Sequence, residues 1–370
     1  MTPAFLAYSR QTRFGALDGL RALAISAVLF HHTDMPGWLM DGSVALHRGF
    51  LGVDLFFVIS GFLITTLLLR ERDRTGAISL RGFYWRRALR ILPLYLLIVT
   101  AVGAYYVLIR QDAAAAQIWP YYYVFMVNFL TYDIQMLGPM WSLSVEEQYY
   151  LIWPLLLILL PARAILPVLG ALIAANVLIS AGVFGDVSMR TGPLLLALPF
   201  PTYAPILMGS ALAVILNTPR GFAMLWPLIG ARAAAPVLAV LIVALTFLLP
   251  EPLQGWPNLV MHLAMTALVG ALIIREDTVL SPGLRFPPLA RIGVVSYGIY
   301  LLHPIVHHFA AALAGRLGLE GAHPIYLALY WGGSWAAAEL SFRLFETPFL
   351  RMRHGRSRPA QPLNQDGART

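Results

Sequence analysis

The chain contains no cysteine and no lysine among its 370 residues, and only 12% of its residues are charged. The absence of cysteine excludes disulfides, thiolate metal sites and a cysteine nucleophile. The absence of lysine excludes Schiff-base catalysis by lysine and a Walker-type phosphate loop. Soluble globular chains average about 25% charged residues, so the composition argues against a soluble enzyme.

Hydrophobic residues make up 59% of the sequence, and the mean hydropathy is +0.70. Apolar runs of the length needed to cross a bilayer recur along the chain. The sequence therefore predicts an all-α, polytopic transmembrane helix bundle of about ten spans. The predicted spans are 16–31, 49–69, 91–109, 144–160, 164–184, 195–216, 234–250, 257–274, 292–313 and 324–345. A shorter aromatic segment, 119–130, is predicted to be interfacial or re-entrant.

The arginines indicate the orientation of these spans. Ten spans place both termini on one side of the membrane, and most of the 26 basic residues fall on that side. The arginines on the opposite side are Arg48, Arg110, Arg190 and Arg316. The positive-inside rule then predicts cytoplasmic N- and C-termini. The net charge of +8 is thus a topological signal, and no nucleic-acid partner is expected.

The domain organisation predicted from this pattern is simple. Residues 1–350 form one transmembrane domain. Residues 351–370 lack apolar periodicity and are rich in arginine, proline and polar residues, so they are predicted to form a disordered cytoplasmic tail.

Ionisable residues within the spans are candidate functional residues because they are costly to place in hydrocarbon. Arg21 and His32 lie eleven residues apart, which places them on one face of a helix and about 16 Å apart along its axis. Asp54, in the second span, could orient His32 through a ring nitrogen. The alternative for all three is an arginine that reaches the interface and interfacial histidine and aspartate side chains.

An arginine cluster precedes the third span. Arg86, Arg87 and Arg90 lie in a short segment, and Arg87 and Arg90 project to one side of a helix. Planar guanidinium groups suit phosphate, so the cluster predicts a phosphorylated cytoplasmic ligand. The alternative is a cluster that only sets orientation and binds anionic lipid.

Two adjacent carboxylates open the fourth span. Glu146 and Glu147 point about 100° apart on a helix, so at most one should face the cavity of His32, and we favour Glu146. The alternative is that acidic residues in a first helical turn only stabilise the helix dipole. His303 and Glu346 lie next to or near prolines, where a structural role at a helix end is equally well supported.

Several ordered motifs together resemble the membrane-bound acyltransferase 3 family, bacterial multi-span enzymes that O-acylate surface glycans, lipid-linked sugars or secondary metabolites. The motifs are Leu17-Asp-Gly-Leu-Arg with His32 eleven residues after Arg21, Gly52-Val-Asp-Leu-Phe-Phe-Val-Ile-Ser-Gly, Arg86-Arg-Ala-Leu-Arg-Ile-Leu-Pro, Ser142-Leu-Ser-Val-Glu-Glu-Gln-Tyr-Tyr and Ser296-Tyr-Gly-Ile-Tyr-Leu-Leu-His-Pro. The resemblance covers about residues 14–350.

The resemblance implies that Arg21 and His32 correspond to the functional Arg and His pair of the family, and that Asp54, Arg87 and Arg90 match its other polar motif positions. It also implies acyl-CoA, usually acetyl-CoA, as the donor, without a metal, and a multi-pass location in the bacterial inner membrane. Partners would be the bilayer and a hydroxyl-bearing glycan or small-molecule acceptor.

Two further expectations accompany the resemblance. Some family members carry an extracytoplasmic hydrolase-like domain after the last span, and this sequence has no room for one, so the reaction is expected to finish in the membrane domain or with a separate partner. The alternative function is a transporter or exporter, since intramembrane His, Asp, Glu and Arg also form relays.

The predicted topology can be tested with single cysteines because the chain has none of its own. We expect an impermeant thiol reagent to label Ser43→Cys in intact cells, since residues 33–48 are predicted to lie outside. It should label Thr75→Cys only after the membrane is opened, because residues 71–85 carry the basic cluster. Labelling of Thr75→Cys but not of Ser43→Cys in intact cells would overturn the topology.

Overall fold

The computed structural model describes residues 2–33, 47–185, 188–197, 203–251, 253–319 and 323–352. Helices dominate this part of the chain. They are α1 Pro3–Arg10, α2 Gly15–His31, α3 Leu51–Thr75, α4 Leu80–Ala104, α5 Ala113–Tyr123, α6 Met140–Leu159, α7 Ala162–Ser180, α8 Tyr203–Leu216, α9 Pro219–Ile229, α10 Ala234–Leu248, α11 Trp256–Ile274, α12 Ser281–Leu284, α13 Pro287–Val294, α14 Ser296–Arg316, α15 Pro324–Leu327, α16 Gly333–Ser341 and α17 Thr347–Met352.

Shorter elements extend or connect these helices. The π-helical turns Tyr105–Ile109, Ala328–Gly332 and Phe342–Glu346 continue α4, α15 and α16, and single 3₁₀ turns cover Arg48–Phe50, Val127–Phe129 and Gln135–Leu137. The strands β1 Ser188–Thr191 and β2 Leu194–Ala197 form a small antiparallel hairpin, with Ser188 opposite Ala197. The described chain is therefore almost entirely helical, as predicted.

The helices that could span a membrane are fewer than predicted when they are judged by length and composition alone. Among the described residues, four helices qualify: Arg48–Thr75, Leu80–Ile109, Ala162–Ser180 and Trp256–Ile274. Three bent pairs, around 11–14, 217–218 and 295, raise the number to seven if each pair is one span. About ten spans and cytoplasmic termini therefore stay predictions.

Two predicted spans differ from the observed elements for identifiable reasons. The predicted span 195–216 begins in the β-hairpin, so its helix, α8, has only 14 residues. The predicted span 234–250 contains the 15-residue helix α10, which is somewhat shorter than a bilayer core requires. The aromatic segment 119–130 is divided between α5, of 11 residues, and the 3₁₀ turn Val127–Phe129.

The helix pair α3 and α8 packs at backbone contact distance. A Cβ atom on Gly61 would collide with the carbonyl oxygen of Ile206, and a Cβ atom on Gly209 would collide with that of Val58. The hydroxyl of Ser210 crosses the same interface and donates to the carbonyl of Gly61 at 3.1 Å. Small residues allow this close approach between apolar helices, where lipid gives little hydrophobic drive to associate.

The apolar residues form two buried clusters, and α2 and α3 contribute to both. One cluster packs α4, α6 and α14 around these two helices, and the other packs α1, α9 and α11 against them. The two helices that carry Arg21, His32 and Asp54 are therefore central to the bundle. The predicted tail falls mostly on residues 353–370, which lie outside the described residues.

Candidate active site

Three cavities follow one another along α2 and share wall residues. The first, which we call the arginine chamber, has a volume of about 360 Å³ and includes Arg13, Arg21, Arg70 and Arg90 in its wall. The second, the neck, has about 100 Å³, and the third, the histidine chamber, has about 910 Å³. The three cavities are thus a wide, a narrow and a wide section of one route.

Shared wall residues show that neighbouring cavities of this route adjoin one another. Arg21, Arg90 and Tyr297 line both the arginine chamber and the neck. Val53 and Tyr300 line both the neck and the histidine chamber. A ligand that entered the arginine chamber would therefore meet the same side chains when it passed into the neck, and again when it reached the histidines.

Arg21 and His32 lie at successive points of this route, as their spacing on one helix face predicts. Arg21 lines the neck, and His32, the residue directly after α2, lines the histidine chamber. Asp18, one turn before Arg21, is 3.7 Å from its guanidinium group. The helix therefore carries a cationic group at one end of the route and an imidazole at the other.

The hydrogen bonding of His32 defines its ring chemistry. Its Nδ1 is 2.9 Å from the carbonyl oxygen of Val28. A carbonyl oxygen can only accept, so Nδ1 carries the proton of the neutral ring and donates. Nε2 is then the basic nitrogen of His32. The main chain of α2 thus supplies the tautomer control for which Asp54 was considered.

Asp54 does not lie on the route. Its Oδ2 is 3.2 Å from Nε2 of His262, a buried residue of α11, and Asp54 itself is buried. Its neighbour Val53 lines the neck and the histidine chamber, whereas Asp54 points to another side of α3, toward His262. The expected pairing of Asp54 with His32 is therefore replaced by a pairing with His262, because one residue along a helix turns the side chain by about 100°.

A second histidine lies beside His32. The ring of His303, on α14, has its centroid 5.0 Å from that of His32, with an angle of 61° between the planes. His303 is fully buried and lines the histidine chamber. The proline that follows it supported a helix-end role equally well, yet α14 continues through Pro304 to Arg316. The position of His303 beside His32 therefore depends on helix packing that the sequence does not show.

The neck is polar on several sides. Glu146 lies beside the hydroxyl groups of Ser60 and Tyr150, and Arg21 and Arg87 interact with it electrostatically. The guanidinium carbon of Arg87 is 4.6 Å from the centroid of the Tyr150 ring. Glu146 therefore faces the route, as favoured over Glu147, but it lies in the neck and not among the histidines.

The predicted arginine cluster divides into two parts. Arg87 and Arg90 line the neck, and Arg90 also lines the arginine chamber. Arg86 instead forms an exposed ion pair with Glu71, at 3.1 Å, and belongs to none of the three cavity walls. The prediction of Arg86 as a ligand residue is thus not supported by its position, because its side chain points away from the helix face of its neighbour.

The arginine chamber contains two residues that the sequence analysis did not identify. Arg70 donates to the carbonyl oxygens of Gln11 and, at 3.1 Å, of Tyr8, so it connects α3 to the segment between α1 and α2. Arg13 lies 3.0 Å from Asp18. The contribution of this connecting segment depends on the 66° bend between α1 and α2, which hydropathy alone does not reveal.

The comparison with known proteins decides the family. The profile of the acyltransferase 3 family, described as an acyltransferase domain, matches residues 14–338. This chain belongs to the acyltransferase 3 family. The resemblance inferred from the motifs is therefore confirmed. No solved structure matches the chain.

Two curated relatives are similar to most of the chain. It is 31% identical over 378 residues to the peptidoglycan O-acetyltransferase OatA of Listeria monocytogenes, covering 92% of this chain and 57% of the relative. It is 29% identical over 361 residues to the O-acetyltransferase OatA of Staphylococcus aureus, covering 90% of this chain and 57% of that protein. The chain thus spans less than two thirds of the length of these relatives.

Within this acyltransferase fold, the described residues contain no group of three or more His, Asp or Glu side chains arranged to hold a metal ion. The histidine chamber instead has imidazoles next to aromatic and hydroxyl groups. Tyr300 is an example, since its hydroxyl is 2.6 Å from that of Ser142 and 2.9 Å from the carbonyl oxygen of Pro139. The polar groups at this end of the route are therefore suited to proton transfer and hydrogen bonding.

Proposed function

We propose that this chain is an integral membrane O-acyltransferase that moves an acyl group, usually acetyl, from acyl-CoA to a hydroxyl group of a glycan. The observation that carries the proposal is the series of adjoining cavities that leads from an arginine-lined chamber to a pair of histidines. Membership of the acyltransferase 3 family supports the reaction class. The Listeria relative is named as a peptidoglycan O-acetyltransferase, and we extend that acceptor class to this chain.

The donor would enter from the arginine chamber. Acyl-CoA carries several phosphate groups, and guanidinium groups bind phosphate through paired, charge-assisted hydrogen bonds. Arg90 would hold a phosphate group at the chamber end of the neck, and Arg87 would act further in. The uncharged pantetheine arm is thin enough to be the part that occupies the neck. With this entrance in the cytoplasm, the donor would come from the compartment where acyl-CoA is made.

The acyl group would be transferred in the histidine chamber. Nε2 of His32 is the reacting atom, because Nδ1 is occupied by the carbonyl of Val28. As a general base, Nε2 takes the proton of the acceptor hydroxyl while the oxygen attacks the thioester carbon and the carbon–sulfur bond breaks. As a nucleophile, the same atom carries the acyl group briefly before the hydroxyl accepts it.

The arrangement of two chambers separates the two substrates. The donor uses the arginine end, and the acceptor uses the histidine end, which is more than twice as large. A membrane enzyme built in this way would acylate a glycan on one side of the bilayer with a donor from the other side. The bacterial inner membrane is the location that this division of substrates requires.

A transporter with a polar relay would also have a route through its helices. Release of free thiol from acetyl-CoA by the purified protein separates the two functions, since a transporter leaves the thioester intact. We expect thiol release that increases when a soluble peptidoglycan fragment is supplied. An absence of thiol release with every acceptor tried, from protein that is folded in detergent, would contradict the enzymatic function.

Substitution of the neck arginines tests donor binding. Arg87→Ala and Arg90→Ala should each raise the donor KM roughly tenfold or more, because each removes a charge-assisted contact of about 1.5–3 kcal/mol. Arg87→Lys should recover only part of the loss, since lysine keeps the charge but not the planar fork.

Arg86→Ala is the matched control for these variants, because it is the same substitution one residue away. Arg86 pairs with Glu71 outside the cavities, so its donor KM should equal that of the wild type. A donor KM that rises equally in Arg86→Ala and Arg87→Ala would assign the cluster to topology or lipid binding instead.

Substitution of His32 tests the reacting atom. His32→Ala and His32→Gln should both abolish transfer, since glutamine preserves size and hydrogen bonding but cannot take a proton near neutral pH. His31→Ala should retain most activity, because the His31 ring packs on Phe50, with centroids 5.8 Å apart. Near-native turnover by His32→Gln, measured as thiol release with acceptor, would refute the role of His32.

A further inference from the structure

The imidazole of His303 is a fully buried polar group in the wall of the histidine chamber. Its Nδ1 lies 2.8 Å from the carbonyl oxygen of Tyr300, to which it donates. Its Nε2 has no hydrogen-bond partner among the described residues. A buried acceptor that lacks a donor is unfavourable, so such an atom in a cavity wall indicates a partner that arrives during function.

The ring of His32, which faces His303, is hydrogen-bonded through Nδ1 in the same way. Its Nδ1 donates to the carbonyl of Val28, and its Nε2 is an acceptor in the neutral ring. The pair at rest therefore consists of two basic nitrogens, one on each ring, with no proton between them. A single added proton would make Nε2 of one ring a hydrogen-bond donor, and Nε2 of the other ring would be its acceptor.

The distance between the two rings is suited to a hydrogen bond between their Nε2 atoms. A ring nitrogen lies about 1.1 Å from the centre of an imidazole, and a nitrogen–nitrogen hydrogen bond spans roughly 3 Å. The observed centroid separation of 5.0 Å between His32 and His303 therefore accommodates one such bond. Both rings are anchored to helix carbonyls through Nδ1. Because Nε2 of His303 has no hydrogen-bond partner at rest, a small reorientation of the rings about these anchors would bring the two Nε2 atoms into contact.

We infer that His303 is a second histidine of the acyl-transfer centre, whose Nε2 accepts a hydrogen bond from His32 after His32 has taken the proton of the acceptor hydroxyl. This inference rests on the proposed function. It gives His303 a place beside His32, where Asp54 was expected to orient the ring and Glu146 to face the same cavity. Asp54 lies against His262, and Glu146 lies in the neck.

The reaction balances with this pair. The O–H bond of the acceptor breaks and its proton passes to Nε2 of His32, while the acceptor oxygen bonds to the thioester carbon. The carbon–sulfur bond then breaks, and the thiolate takes the proton back from His32. The products are the ester and free CoA, and both histidines return to their neutral forms. His303 stabilises the protonated His32 only between these two proton transfers.

A neutral partner has an advantage over a carboxylate in this position. A carboxylate beside His32 would favour the charged ring at rest, and a charged ring cannot take the proton of the acceptor. A second imidazole leaves His32 neutral at rest and interacts strongly only after proton transfer. The pair thus stabilises a state that forms during the reaction more than it stabilises the resting state.

Other titratable groups surround the pair and must be considered in any pH experiment. Those on the chamber wall are His31, Asp133, Tyr300, His307 and His308. They come from α2, from the loop before α6 and from α14. Each variant is therefore compared with the wild type over the full pH range under the same conditions, so that the contribution of these groups is common to both profiles.

Two substitutions at one position separate hydrogen bonding from packing. His303→Phe keeps an aromatic ring but accepts no hydrogen bond, whereas His303→Gln offers an amide oxygen that does. We expect His303→Phe to lower kcat roughly 10- to 100-fold with both KM values within about twofold of the wild type. The acid limb of its kcat–pH profile should move to lower pH, because the proton on His32 has lost its acceptor. His303→Gln should recover a substantial part of kcat.

A double variant tests whether the histidines act as a unit. In the His32→Gln background, His303→Phe should cause no further loss of the residual rate, since its partner has already been removed. A merely structural residue would reduce the amount of folded protein or raise KM in either background.

Native kcat and an unshifted profile in His303→Phe would overturn the inference, and so would equal losses in His303→Phe and His303→Gln accompanied by raised KM values. These outcomes differ from a failure of the proposed function, in which the wild-type protein itself releases no thiol from acetyl-CoA.

Discussion

The cost of placing charged and polar side chains among apolar helices determines the arrangement of this protein. Its described ionisable residues within the bundle are found beside one another or along a cavity. Arg21, Arg87 and Glu146 meet in the neck, and His32 and His303 meet in the wide chamber beyond it. Because each group must have a partner or a polar space, the helices that carry them form a single route through the bundle.

Part of this arrangement follows from the sequence, and part does not. The shared face of Arg21 and His32 could be predicted because both lie on one helix, where a fixed rotation per residue determines direction. The partner of Asp54 could not be predicted, because His262 is more than 200 residues away and their contact depends on how α3 and α11 pack. The different environments of Arg86 and Arg87 could not be predicted either, because Glu71, the partner of Arg86, belongs to the preceding helix.

The bends between helices also bring residues to the cavities that the sequence pattern does not identify. The segment between α1 and α2 adds Arg13 to the arginine chamber, and Arg70 fixes that segment through backbone carbonyls. Hydropathy predicts where apolar segments are, but a bend of 66° between two helices places polar residues at a cavity that no linear pattern identifies. The neck is similar, since Ser60 of α3 and Glu146 of α6 meet there only through tertiary packing.

The central claim is that the donor occupies the neck, and Ser60→Cys tests it directly because the chain has no other cysteine. The measurement is the rate of alkylation of Ser60→Cys by a small thiol reagent, with and without saturating desulfo-CoA, which lacks the thiol that would itself consume the reagent. We predict that desulfo-CoA slows this reaction roughly tenfold or more, while exposed Thr75→Cys reacts at the same rate in both conditions. An alkylation rate at Ser60→Cys that is unchanged by desulfo-CoA, in protein that binds desulfo-CoA, would contradict donor binding in the neck.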